Sequence, residues 1–100
     1  MNVNFRKSFE KDLKKLKDKK LLSKIQKIVE NVESIAKNTE KDEMPEILNF
    51  SKMSGHSDKY RIRLGNYRIG ITIENNESVD FDILWFERLL HRKDIYKYFP

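Results

Sequence analysis

The chain has no cysteine, only three glycines and two prolines, and no long apolar run. Without cysteine there is neither a disulfide framework nor a thiolate metal site. So little glycine and proline leaves little material for flexible linkers. The 100 residues suit one hydrophobic core, so a single domain over residues 1–100 is expected. The longest apolar run, Ile83 to Phe86, is far too short to span a bilayer. Nor is Met1-Asn2-Val3-Asn4-Phe5-Arg6-Lys7 followed by the apolar core of a signal peptide. A cytoplasmic protein, not bound to a membrane, is expected.

Charge is what the chain has in quantity. Charged residues make up 37% and hydrophobic residues 38%, a balance typical of folded, well-solvated chains. The net charge is +5, which favours polyanions or an acidic protein partner. Its distribution is uneven. Eleven of the fifteen lysines precede residue 50, whereas five of the six arginines (Arg61, Arg63, Arg68, Arg88, Arg92) follow it. Lysine is a solvated point charge, and arginine a planar fork suited to phosphate. The first half therefore reads as a helical cover and the second as the working half.

Val3 and Phe5 alternate with polar residues as an opening strand does. Ser8 is placed to cap a helix with Phe9, Leu13 and Leu16 on one face. Lys17 to Lys20 reads as a turn. From Leu21 the positions Leu21, Ile25, Ile28, Val32 and Ile35 form a helical stripe, so the two helices are expected as an antiparallel hairpin. Asn38 to Pro45 reads as a polar connector, after which Ile47, Leu48, Phe50 and Met53 are expected to pack. Gly55-His56-Ser57-Asp58 reads as a turn.

The sheet can be read in register. Tyr60, Ile62 and Leu64 face one way, and Lys59, Arg61 and Arg63 the other. Gly65-Asn66 suits a two-residue hairpin turn with positive φ at the glycine. Leu64 then pairs with Tyr67, Arg63 with Arg68, Ile62 with Ile69, and Arg61 with Gly70, where no side chain fills the space. An irregular turn at Asn75-Asn76 would pair Ile73 with Val79 and Ile71 with Phe81. That puts Asp80 and Asp82 on the arginine face and Trp85 in the core, in a last strand running from Ser78 to about Leu90. The architecture expected is α+β: a short N-terminal strand, the helical hairpin, then a curved antiparallel sheet with a short C-terminal helix or tail.

Arg63 opposite Arg68 is a like-charge cross-strand pair, which costs stability. One explanation is a solvated sheet face partly neutralised by Asp80 and Asp82. The other is a surface that gathers phosphate oxygens. Asp80, Asp82, Glu87 and Asp94 make no recognisable ligand pattern, so neither a metal nor a cofactor is expected.

Tyr60-Arg61-Ile62-Arg63-Leu64-Gly65-Asn66-Tyr67-Arg68-Ile69, followed by His91-Arg92-Lys93-Asp94-Ile95-Tyr96, resembles the C-terminal signature of the RelE/ParE toxin superfamily. The strand and helices before it match the family's order, so the resemblance covers nearly the whole chain. In the RelE branch it implies metal-independent cleavage of mRNA in the ribosomal A site, by attack of a ribose 2′-OH on its own 3′-phosphate with release of a 5′-OH. Arg68 matches the family's arginine at the scissile phosphate, Arg92 the later arginine that assists it, and Tyr96 the terminal tyrosine used in stacking or proton transfer. Arg61 and Arg63 match two positions that are lysines in the best-known RelE-type members. An arginine is a poor general base, so these two would stabilise the transition state and leave the base unassigned. His91 is the substitute the sequence offers.

Lys52, Lys59 and Lys93 are expected to contact RNA. The resemblance also implies an acidic antitoxin, with which the chain would form a heterotetramer. Two further readings stay open: a ParE-like inhibitor of DNA gyrase without nuclease activity, and a plain nucleic-acid-binding module or degenerate toxin.

Overall fold

The computed structural model describes residues 1–38, 50–76 and 81–100, with Asn76 and Phe81 given by their backbone alone. Thr39 to Pro45 of the expected connector, together with Ile47, Leu48, Val79 and Asp80, lie outside those residues. Along the chain run β1 (Asn2–Phe5), α1 (Lys7–Lys15), α2 (Lys19–Ala36), β2 (Ser51–Lys52), β3 (Lys59–Leu64), β4 (Tyr67–Asn76), β5 (Phe81–His91) and a short α3 (Ile95–Tyr98). The α+β order expected from the sequence is the one observed.

The strands form one sheet in the order β1-β5-β4-β3-β2. β2 to β5 pair antiparallel, while β1 joins the far edge parallel to β5, with Phe5 opposite Phe86. Alternation puts Ile69, Ile71 and Ile73 of β4 and Leu84, Phe86 and Leu89 of β5 on one face. There they are buried with Phe9 of α1, Ile25, Val32 and Ala36 of α2, and Phe50. Apolar residues spaced three, four and seven apart give each helix one such face, and the sheet covers it.

Two helix boundaries differ from expectation. Ser8 lies inside α1, and its hydroxyl donates to the Glu87 carbonyl at 2.7 Å instead of capping its own helix. α2 begins at Lys19, earlier than the lysine-rich turn implied, because Asp18 accepts from the Leu21 N–H at 3.1 Å and so caps it.

The β4–β5 hairpin also differs. Asn75 and Asn76 do not turn; they pair with Asp82 and Phe81, so Ile73 meets Leu84 and Ile71 meets Phe86. The irregularity lies instead between Gly70 and Ile71, where Gly70 faces Arg88 and Ile71 faces Phe86, leaving Glu87 as an extra residue. This register moves two residues from their expected sides. Asp82 shares the side of Leu84, and Trp85, opposite Thr72, stands on the arginine side. A turn-rich dipeptide is overruled here because long-range pairing buries three isoleucines at once.

β1 ends where the Arg6 N–H donates to the Phe86 carbonyl at 3.0 Å, which leaves the rest of β5 with an open edge. α1 closes it with side chains. Besides the Ser8 bond, Asp12 accepts from the Leu89 N–H at 2.9 Å and grips Arg88 with both oxygens, at 2.8 and 3.1 Å. Those bonds hold the Arg88 guanidinium above its ordinary pKa. Asp12→Ala is expected to cost about 2 kcal/mol in urea unfolding, since it strands both a strand N–H and a half-buried cation. A loss below about 0.5 kcal/mol would mean that water replaces Asp12 at this edge.

Candidate nucleic-acid interface

Gly65 has φ of 58° and makes the tight turn between β3 and β4. Its register is the expected one: Lys59 pairs with Thr72, Arg61 with Gly70, and Arg63 with Arg68. Directly opposed residues point to the same side, so Lys59, Arg61, Arg63 and Arg68 share the face away from the helices. The Arg92 N–H donates to the Asn66 carbonyl at 2.7 Å, which ties the end of β5 to the same turn. Arg68 folds back and donates to the Gly65 and Tyr67 carbonyls at 2.7 and 2.8 Å. From α3, Tyr96 accepts a hydrogen bond from Arg61, whose guanidinium lies 5.5 Å from the phenol ring centre.

The two arginines outside this cluster are ion-paired: Arg6 with Glu87 at 3.1 Å and Arg88 with Asp12 at 2.8 Å. Among the described residues no carboxylate pairs with Arg61, Arg63, Arg68 or Arg92. Desolvation, and after it the like charges of Arg63, Arg61 and Arg92, push the Arg68 guanidinium below its ordinary pKa. An anion set among these groups relieves that repulsion, and guanidinium forks match phosphate oxygens.

Not every expected site residue joins the cluster. His91 pairs with Tyr67, its ring edge-on to the tyrosine at 5.6 Å, so it stands on the helix side of the sheet. Its Nδ1 accepts from the Lys93 N–H at 3.2 Å. Lys52 pairs with Tyr60 and so shares that side, at the outer edge of the sheet. Lys59 is on the arginine face, but its ammonium lies 3.1 Å from the Thr72 hydroxyl and 3.6 Å from Asp58. Lys93 is exposed in the turn before α3. Among the described residues no cluster of three His, Asp or Glu side chains is placed to hold a metal ion.

The sequence reading missed a polar line across this face. Lys59 donates to Thr72, Thr72 to Glu87 at 3.4 Å, and Arg6 to Glu87 while lying 3.7 Å above the Trp85 ring. Trp85 in turn donates to Glu74 at 2.8 Å. The space beside Gly70, expected to be empty, is filled by the Phe99 ring. A glycine inside a strand was the signal available, since it marks a close approach.

An antiparallel hairpin thus presents on one face arginines that have no carboxylate partner among the described residues, while two helices cover the other face. A family model described as the ParE toxin of type II toxin–antitoxin systems matches residues 3–96. Toxin RelE3 of Methanocaldococcus jannaschii is 41% identical over 100 residues, the whole of both chains. The RelB–RelE antitoxin–toxin complex from Methanococcus jannaschii contains a chain 39% identical, with a TM-score of 0.67 over 98% of this chain and 100% of that one. The archaeal RelE–RelB complex from Pyrococcus horikoshii OT3 shares the fold, with a TM-score of 0.61 at 22% identity over 91% of this chain and 93% of that one. This chain belongs to the RelE/ParE family of toxins of type II toxin–antitoxin systems. No helix among its described residues is long and apolar enough to cross a membrane.

Proposed function

We propose that this chain is a cytoplasmic, ribosome-dependent mRNA endonuclease that works without metal in the ribosomal A site. The observation that carries it is the set of four arginines, without a carboxylate partner among the described residues, gathered on one sheet face beside a phenol. A ribose 2′-OH attacks the adjacent phosphorus, the bond to the 5′-oxygen breaks, and a 5′-OH leaves. Negative charge grows on the phosphate oxygens, where Arg61, Arg63, Arg68 and Arg92 would stabilise it. Tyr96, hydrogen-bonded to Arg61, would pass a proton or stack on a base. His91 has no part in this reading, because its ring rests against Tyr67 on the other side of the sheet. Lys59 and Lys93 would track the flanking backbone.

Two solved relatives are described as complexes with RelB. An acidic antitoxin for this chain, in a heterotetramer, fits its net charge of +5. The test is primer extension on message, with and without ribosomes. Cuts that appear only with ribosomes are expected. The matching family model is described as ParE, which favours a second reading, inhibition of gyrase without cleavage. Intact message in both arms together with blocked DNA supercoiling would sink the nuclease in favour of that reading.

A further inference from the structure

Tyr96 meets Arg61 from α3, yet α3 has four residues, too few to hold a helix in water on its own. Its anchor is on the arginine face itself. Gly70 is buried in the middle of β4, opposite Arg61 on one neighbouring strand and Arg88 on the other. A Cβ at Gly70 would lie 2.7–2.9 Å from carbons of the Phe99 ring, closer than non-bonded carbons tolerate. Glycine weakens a strand interior, and here the space it leaves is occupied. Phe99 is 4% exposed and lies in a small apolar cluster with Ile95 and Met53, while Tyr96 is 63% exposed. The Phe99 N–H donates to the Ile95 carbonyl at 2.9 Å, which closes the turn that carries Tyr96. The exposed phenol is thus placed by its buried neighbours in the chain.

We infer that Phe99, seated in the notch left by Gly70, is the positioning residue that delivers Tyr96 to Arg61. Its consequence for cleavage rests on the nuclease reading, whereas the seat itself does not. The protein labelled with 3-fluorotyrosine carries four fluorine reporters, and Tyr96→Phe assigns the one at Tyr96. In the unmodified chain that resonance is expected to shift on Arg61→Gln. In Phe99→Ala and in Gly70→Ala it should move to the free fluorotyrosine position and ignore Arg61→Gln, with the Tyr60 and Tyr67 resonances unchanged. Phe99→Leu, which refills the notch, should restore the response. In ribosomal cleavage, Phe99→Ala should lower kcat on the order of tenfold with KM within about twofold, and adding Tyr96→Phe should cost nothing more.

A Tyr96 resonance that still senses Arg61 in both Phe99→Ala and Gly70→Ala would overturn the inference. So would additive losses in the double variant. If the unmodified chain cuts no message, the nuclease reading fails, and the fluorine response still decides the seat.

Discussion

Arg68→Ala is expected to slow message cleavage about a hundredfold, in the range seen when one preorganised donor to a transition-state oxyanion is removed. Arg68 sits among Arg63, Arg61 and Arg92 and is held by the carbonyls of Gly65 and Tyr67. In the proposed cleavage it would therefore need no reorganisation as charge develops on the phosphate. Arg63 is exposed, and its loss should cost about tenfold or less. Arg68→Lys keeps the charge and loses the fork, so it should fall nearer to alanine than to arginine. Single-turnover rates at saturating programmed ribosomes make the comparison, with thermal unfolding to show that each variant folds. Cleavage by Arg68→Ala within about threefold of the unmodified rate would move the phosphate site elsewhere.

Phe86→Ala is expected to be the most damaging single truncation to stability, about 4 kcal/mol. Phe86 is fully buried, stacks on Phe5 at 5.2 Å with 9° between the planes, and meets Phe9 at 5.3 Å. These rings join β1, α1 and β5, the three elements that meet at the parallel edge. For a chain of this size the loss corresponds to a drop of at least about 15 °C in Tm. Urea unfolding gives the free energy directly. A change below about 1.5 kcal/mol would mean that the neighbouring rings close over the gap.

Local pattern carried the β3–β4 hairpin and both helices. Three outward cations, three inward apolar residues and Gly65-Asn66 allow one pairing, and that pairing brings Arg61, Arg63 and Arg68 together. Helical stripes of Leu and Ile are equally local signals. The β4–β5 pairing was not legible, because Asn75-Asn76 has turn chemistry yet lies in a ladder fixed by Ile71 and Ile73 finding Phe86 and Leu84. The side taken by a residue past Phe86 depends on the irregularity at Glu87, which belongs to the pairing and not to the local sequence. Ser8 and Asp12 bond to residues more than seventy positions away, and no window along the chain sees that. A shorter but still non-local separation hid Phe99 from Gly70.

The extra residue at Glu87 bears on how such a chain can change length. Leu84, Phe86 and Leu89 face inward because the ladder absorbs one residue between the last two. Remove that residue and ordinary alternation still turns Phe86 and Leu89 inward, with Arg88 between them facing out. A one-codon deletion, which elsewhere in a strand would turn every later side chain over, is here neutral to the core. It would sacrifice only what Glu87 itself holds, the bonds to Arg6 and Thr72 and the carbonyl that takes Ser8. Descendants of this gene can therefore lose that codon while inheriting the same interior.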